Sequence, residues 1–181
     1  EGVWVWDTDN KKYLDMMSAY SAVSHGHSHP ELLKVLHEQS ARLALTSRAF
    51  YTDTLGPYLK TITSVSNFDM ALPMNSGAEA VETAIKASRR WAYRSKKIEP
   101  NKAEIIVADG NFHGRTTTII SFSSDDNSKD DFGPHTPGFI SVEFGSSKAI
   151  EEAITENTAA VLVEPIQGEG GIIIPPDNWL P

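Results

Sequence analysis

The chain has 181 residues, 40% of them hydrophobic and 22% charged, with a formal net charge of −8 and no cysteine. That composition describes a globular chain able to bury a core, one domain or one and a piece. It excludes disulfide and thiolate chemistry, speaks against nucleic-acid and membrane partners, and holds no apolar run long enough to span a bilayer.

Residues 3–6 alternate in polarity, Asp7-Thr8-Asp9-Asn10 turns, and residues 13–17 continue, which predicts a hairpin. In His25-Gly26-His27-Ser28-His29, alternate histidines can face one side. No carboxylate or cysteine follows at ligand spacing and Pro30 opens a helix at once, so a turn is expected and no metal site. Residues 30–45 and 54–65 carry helical spacing, with Pro30 suited to a first turn.

Residues 71–74 read as a short apolar strand that breaks at Asn75-Ser76-Gly77 and enters a long helix. Val81, Ala84, Ile85, Ser88, Trp91 and Ala92 form its inward stripe. Glu79 and Glu82 near the start, and Arg89, Arg90, Arg94, Lys96 and Lys97 near the end, suit the helix dipole. Ser76-Gly77-Ala78-Glu79 is a capping box, which starts a helix without any ligand. Equally, Gly77 lets backbone approach a ligand, and free amides at a helix start attract phosphate. This window alone leaves both readings open. No Gly-x-Gly-x-x-Gly and no Gly-x-x-x-x-Gly-Lys-Ser/Thr occurs, so dinucleotide and P-loop readings lose their usual support.

Further on come a strand (104–108), a helix (116–121), a strand (139–144), a helix (146–156) and a strand (159–164). Residues 125–131 are polar and acidic and read as an exposed loop. The alternation predicts an α/β fold, a mostly parallel sheet with helices on both faces. Val161-Leu162-Val163 is continuously apolar, as for a strand covered on both faces. Residues 165–181 carry no returning helix, so the architecture is expected to continue past them.

Open parallel sheets bind ligands at the carboxyl ends of their strands. Three segments fall there: Asn75-Ser76-Gly77, Gly110-Asn111-Phe112-His113-Gly114-Arg115-Thr116, and Glu164-Pro165-Ile166-Gln167-Gly168-Glu169-Gly170-Gly171. Together they offer a phosphate seat, an aromatic face, an arginine and two carboxylates. Each has a plain alternative. Phe112 can be core, Arg115 an exposed or capping arginine, and Glu164 and Glu169 solvated loop carboxylates. The functional reading rests on all three sharing one end of the sheet.

Asn75-Ser76-Gly77-Ala78-Glu79-Ala80, then the Gly110 to Thr116 segment, then Glu164 to Glu169 resemble, in order, the class III (omega) aminotransferases of fold type I, which use pyridoxal 5'-phosphate. Ser18-Ala19-Tyr20-Ser21-Ala22-Val23, Gly26-His27-Ser28-His29-Pro30 and Thr46-Ser47-Arg48-Ala49-Phe50-Tyr51 are most similar to members that act on ornithine. The resemblance spans essentially the whole chain. It implies an N-terminal hairpin and arm over 1–29, and over 30–181 the first part of the cofactor-binding large domain, incomplete at its C-terminal side.

By the same resemblance, Ser76, Gly77 and Ala78 bind the cofactor phosphate, Phe112 stacks on the pyridine ring, and Glu164 lies near the ring. His113 sits beside them, where ornithine members usually carry tryptophan. Tyr20, Arg115 and Glu169 bind substrate: Tyr20 favours an ω-amine, Arg115 takes the α-carboxylate, and Glu169 is a switch carboxylate. No catalytic residue is implied within the chain. The Schiff-base lysine would follow Pro181, and the chain alone is expected to be inactive.

The implied reaction moves the δ-amine of L-ornithine to 2-oxoglutarate through pyridoxal and pyridoxamine phosphate, giving glutamate 5-semialdehyde and glutamate. Acetylornithine or 4-aminobutyrate transamination is the neighbouring alternative, with bulky Tyr20 weighing against an acylated amine. A non-catalytic half that assembles with a lysine-bearing chain is the alternative of a different class. Implied partners are an amino acid, a 2-oxo acid and a second subunit, with the active site at the boundary of a homodimer or larger assembly and residues 48–51 and 132–138 at the contact. The implied location is intracellular, cytoplasmic ahead of mitochondrial matrix.

Overall fold

The computed structural model describes residues 1–180. Tertiary contacts divide the chain into two units, Glu1–Ala71 and Leu72–Pro181.

In the first unit, β1 (Trp4–Trp6) pairs antiparallel with β2 (Lys12–Leu14). Asp7 builds the turn between them. Its Oδ1 accepts from the amides of Asp9 and Lys11, and its Oδ2 from the Tyr13 hydroxyl at 2.8 Å. The Lys12 ammonium lies 4.0 Å from the centre of the Trp4 ring, a cation–π contact across the pair.

Next comes α1 (Ser18–Ser21), a single turn that sequence patterning does not reveal. Ser18, Ala19, Tyr20 and Ser21 have φ of 48°, 47°, 56° and 66°. Left-handed backbone drives Cβ against the following carbonyl, at roughly 1–2 kcal/mol per non-glycine residue. Such a turn must be held by its surroundings.

The histidine-rich segment is the expected turn. Gly2 and His27 exchange backbone hydrogen bonds of 2.9 and 2.7 Å, and His29 is the N-cap of α2 (Pro30–Arg42). That helix stops three residues short of Leu45, and α3 (Leu55–Ser66) closes on Asn67 in a left-handed conformation. The Arg42 guanidinium pairs with Asp53. Neither helix contains a buried residue. Their apolar stripes, Leu32, Leu33 and Leu36 on one and Leu55, Tyr58 and Ile62 on the other, lie exposed.

Where the first unit gives way to the second, residues 71–74 correct the expected strand: they form no ladder, and Leu72 is 61% exposed. Apolar sequence becomes a strand only where a neighbouring backbone takes up its amides and carbonyls. The long helix is as expected: α4 (Gly77–Trp91), with Ile85 buried. It continues into a π-helical turn, Ala92–Lys96, that closes on left-handed Lys97. Ala92 is buried, whereas Trp91 at the edge of the stripe is exposed.

Strand β3 (Glu104–Ala108) lies at the centre of a parallel sheet, between β4 (Phe139–Val142) and β5 (Thr158–Leu162). Ile105 and Val107 form a core with Ile85 of α4 and with Ile119 and Phe122 in and after α5 (Thr117–Ile120). Each such side chain contributes about 1.5–3 kcal/mol on burial. Ile106 and Ala108, on the opposite face of β3, are equally buried, so the central strand is covered on both sides.

Strand β5 is not. Val161 is 42% exposed. As the outer strand it has one hydrogen-bonded neighbour among the described residues, and continuous apolarity marks it as strand without setting its cover. The expected loop at 125–131 also holds a helical turn, α6 (Asp126–Lys129), because Asp125 caps it by accepting from the Asn127 amide at 3.1 Å and the Ser128 hydroxyl at 2.7 Å. The last helix, α7 (Ser147–Ala153), packs on β4. Beyond Glu164 the chain is anchored by buried Trp179, whose indole N–H donates to the Glu164 carbonyl at 3.3 Å. Pro181, the last residue of the expected irregular stretch, lies outside the described residues.

Candidate active site

The three loops meet at the carboxyl edge of the sheet. The loop after β3 and the start of α4 are in direct contact. Gly114 has φ of +120°, and a Cβ added there would sit 2.9 Å from the Ala78 Cβ. No side chain fits between the two segments, so glycine is required. The Thr116 hydroxyl, which caps α5, also donates to the Glu82 carboxylate of α4.

The loops after β3 and β5 are joined as closely. Gln167 is 1% exposed, and its Nε2 donates to the Asp109 carbonyl at 2.7 Å. Gly110, at φ +72°, leaves room for that side chain: a Cβ there would meet Gln167 Oε1 at 3.0 Å. The Phe112 amide donates to Glu164 Oε2 at 3.2 Å.

At the α4 terminus the expected capping box is formed in part, its return bond reaching Asn75, one residue before the N-cap Ser76. Ser76 Oγ accepts from the Glu79 amide at 3.2 Å, and Glu79 Oε2 accepts from the Asn75 amide at 2.9 Å. Ser76 O takes the Ala80 amide. The amides of Gly77 and Ala78 have no acceptor among the described residues. Capping does not use up this helix start: the first-turn N–H groups of Gly77 and Ala78 remain without an acceptor among the described residues, the kind of group that attracts an anion.

Phe112 is 40% exposed, which decides against the core reading. The Arg115 guanidinium lies 5.7 Å from the centre of its ring. Phe112, Arg115 and Glu169 line one cleft of about 360 Å³, together with Gly110, Asp125 and Ser128. No lysine lines it among the described residues. Lys96 donates to the Thr158 carbonyl at 2.8 Å, and Lys148 pairs with Glu152.

Burial sets the electrostatics behind the cleft. It raises the Glu164 carboxyl above its ordinary value, against the opposing effect of the Phe112 and Gly168 amides. It also lowers the His113 imidazole and favours its neutral form. That ring packs 5.9 Å from Phe122, centre to centre, and its Nε2 is buried without a hydrogen-bond partner among the described residues. His113 thus turns toward the core next to a Phe112 that faces outward.

Tyr20 belongs to the other unit. It stands on the left-handed turn, 75% exposed.

Three residues that fix the loops carry no role in the motif reading: Gln167 and Asn111, which lie inside the motif segments, and Ser124, which lies outside them. Asn111 is buried, and its Nδ2 donates to the carbonyls of Ala108 at 2.6 Å and Phe122 at 3.1 Å. Ser124 Oγ accepts from the Gly110 amide at 2.7 Å. A polar residue within or beside a motif carries no sign of burial in sequence, so nothing marked their part. Asp125, in the wall of the cleft, had only its acidic setting.

A mainly parallel α/β sheet with an anion-ready helix start, an exposed aromatic and an arginine at its carboxyl edge is the setting of a phosphorylated, planar cofactor. The aminotransferase class-III family matches residues 1–181, and the chain belongs to that family, whose members depend on pyridoxal 5'-phosphate. An ornithine aminotransferase of Brevibacillus brevis is 56% identical over 99% of this chain and 45% of its own length. An ornithine aminotransferase of Toxoplasma gondii superposes with a TM-score of 0.96 at 42% identity, over 99% of this chain and 43% of that one. An acetylornithine aminotransferase of Elizabethkingia anophelis gives 0.82 at 55% identity, over 99% and 44%. The chain thus spans about half the length of the relatives it matches.

Proposed function

We propose that this chain is the N-terminal and central portion of an enzyme that transfers the δ-amine of L-ornithine to 2-oxoglutarate, giving glutamate 5-semialdehyde and glutamate. The observation that carries this reading is the meeting of the Gly77, Phe112 and Glu164 loops at one sheet edge, in a chain 54–57% identical to relatives named ornithine aminotransferase. In this reading residues 1–29 form an arm and 30–181 belong to the cofactor-binding domain.

The residues fit the cofactor. The free amides of Gly77 and Ala78, with Ser76 beside them, are donors for its phosphate. Exposed Phe112 offers a face for its ring, and Glu164, bound to the Phe112 amide, lies beside that residue; His113, expected there too, packs its ring inward on Phe122 and is a support behind the face. When bound, pyridoxal 5'-phosphate supplies the electron-withdrawing ring that takes up and returns the amine.

The chain's own part is binding and orientation. Arg115, next to Phe112, holds the substrate α-carboxylate by paired charged hydrogen bonds. Glu169 lines the same cleft and competes for cationic partners, so it serves as the switch between the diamino acid and the dicarboxylate. Tyr20 is assigned to ω-amine selection on family resemblance. We place the protein inside the cell as a homodimer, with residues 48–51 and 132–138 at the contact; exposed Phe50, Tyr51 and Phe132 suit a covered surface.

The test is turnover of L-ornithine and N-acetylornithine by the full-length protein, with 2-oxoglutarate as acceptor. A kcat/KM at least about tenfold higher for ornithine is expected. Preference for the acetylated substrate would favour the second reading, acetylornithine transamination, which the 55% identity to the Elizabethkingia protein supports.

A further inference from the structure

Within the first unit, one carboxylate organises the strained turn. Asp15 Oδ1 accepts from the amides of Met17 at 3.0 Å and Ser18 at 2.9 Å, the two residues that lead into α1. Its Oδ2 lies 2.6 Å from His27 Nε2. The side chains of Asp15 and His27 are only 16% and 31% exposed. The far end of the connection is equally fixed. His27 is tied to Gly2 by two backbone hydrogen bonds, and Gly26 at φ +80° packs so tightly that a Cβ there would lie 2.9 Å from the Gly2 carbonyl oxygen.

Between these anchors, the Ala22 and Val23 amides donate back to Ala19 and Ser18. The loop closes around four consecutive non-glycine residues in left-handed backbone, and Tyr20 projects from it. Backbone in that region persists only where its surroundings over-determine it. Here the determinant is the Asp15 carboxylate, charged and short-tethered, and its orientation is set by His27.

We propose that Asp15 and His27 are specificity-determining positioning residues, a latch that holds the left-handed turn and so sets Tyr20 for selection of the free diamino acid. The inference rests on the ornithine reading for the part played by Tyr20; the latch itself rests on the geometry of this unit.

The experiment uses the full-length protein with Asp15→Ala, His27→Ala, His27→Gln and Tyr20→Ile. Asp15→Ala and His27→Ala are expected to lower the ornithine to N-acetylornithine preference about tenfold, mostly through a higher ornithine KM, with kcat changed less than about threefold. The side-chain amide introduced by His27→Gln can still donate to Asp15, and this variant is expected to recover most of the preference. Hydrogen exchange is expected to quicken about tenfold across residues 15–27 in both alanine variants and to stay unchanged across α2.

Preference and exchange both unaltered in folded Asp15→Ala would overturn the proposal. If that variant does not fold, His27→Ala decides in the same way, because the ring can be removed without touching the Gly2 backbone bridge. A wild-type protein that prefers N-acetylornithine defeats the ornithine reading instead. Exchange then judges the latch alone: faster exchange across 15–27 supports it, and unchanged exchange rejects it. Tyr20→Ile shifting the preference while Asp15→Ala does not would retain the substrate and reject the latch.

Discussion

Glu164 carries the clearest conflict of any single residue. Its carboxyl is raised by burial, so the stability linked to its protonated form is full below the unfolded value of about 4.3 and is lost as pH rises through the raised folded value. At neutral pH the ionised group therefore opposes folding of its loop. Glu164→Gln keeps an oxygen acceptor for the Phe112 amide and removes the charge. It is expected to raise the melting temperature at pH 7, with the gain fading below about pH 4; thermal scans across pH check this. A site that retains such a residue gives up stability for a charge where the cofactor ring is proposed to lie. Gly114 shows the steric counterpart. Gly114→Ala adds a Cβ 2.9 Å from Ala78 in a left-handed backbone, and a loss of about 2 kcal/mol in urea denaturation is expected.

Among the elements, helix α4 and the two loops beside it behave as one assembly. Removing the cap with Ser76→Ala is expected to cost about 1 kcal/mol, and Ser76→Gly only a few tenths, by chemical denaturation. Gln167 links the loops after β3 and β5 through the Asp109 carbonyl. Gln167→Leu removes that part-buried hydrogen bond, at about 1 kcal/mol, and loosens the two loops from each other. The expected outcome is lower stability together with weaker retention of pyridoxal phosphate, read by dialysis and cofactor absorbance. The strand expected at 71–74 fails at this same scale, because Leu72 and its neighbours have the composition of a strand and no ladder to join.

Across the whole molecule, acid tolerance differs between the units. Asp7, Asp15 and Asp53 in the first unit, and Asp125 in the second, have depressed carboxyl values, held down chiefly by Tyr13, His27, Arg42 and Ser128 respectively. A depressed value contributes stability above the unfolded value, about 3.9, and loses it as pH falls through the folded value. Peptide-resolved hydrogen exchange on stepping from pH 5 to about pH 3 is expected to loosen residues 1–71 before the β3 core. The first unit also lacks fully buried hydrophobic side chains among the described residues, so it has little packing to offset that loss.

Much was legible in the chain itself. The hairpin, the helices from Pro30, Leu55 and Gly77, the three parallel strands and the three motif loops all follow from periodicity, turn residues and caps, because those signals act over a few neighbouring residues. The outward face of Phe112 beside Arg115, the burial of Gln167 and Asn111, the inward ring of His113 and the left-handed turn at Tyr20 did not follow. Three of these depend on groups distant in sequence: Glu164 for Phe112, Asp109 for Gln167, and the Asp15–His27 pair for the turn; Asn111 and His113 turn inward through a nearer partner, Phe122. Local pattern determined most of the strands, helices and loops, though not the absent strand before α4 or the single turns α1 and α6. Contact across 12 to 58 positions of chain decided which way their side chains point, because only folding brings those partners within hydrogen-bond range.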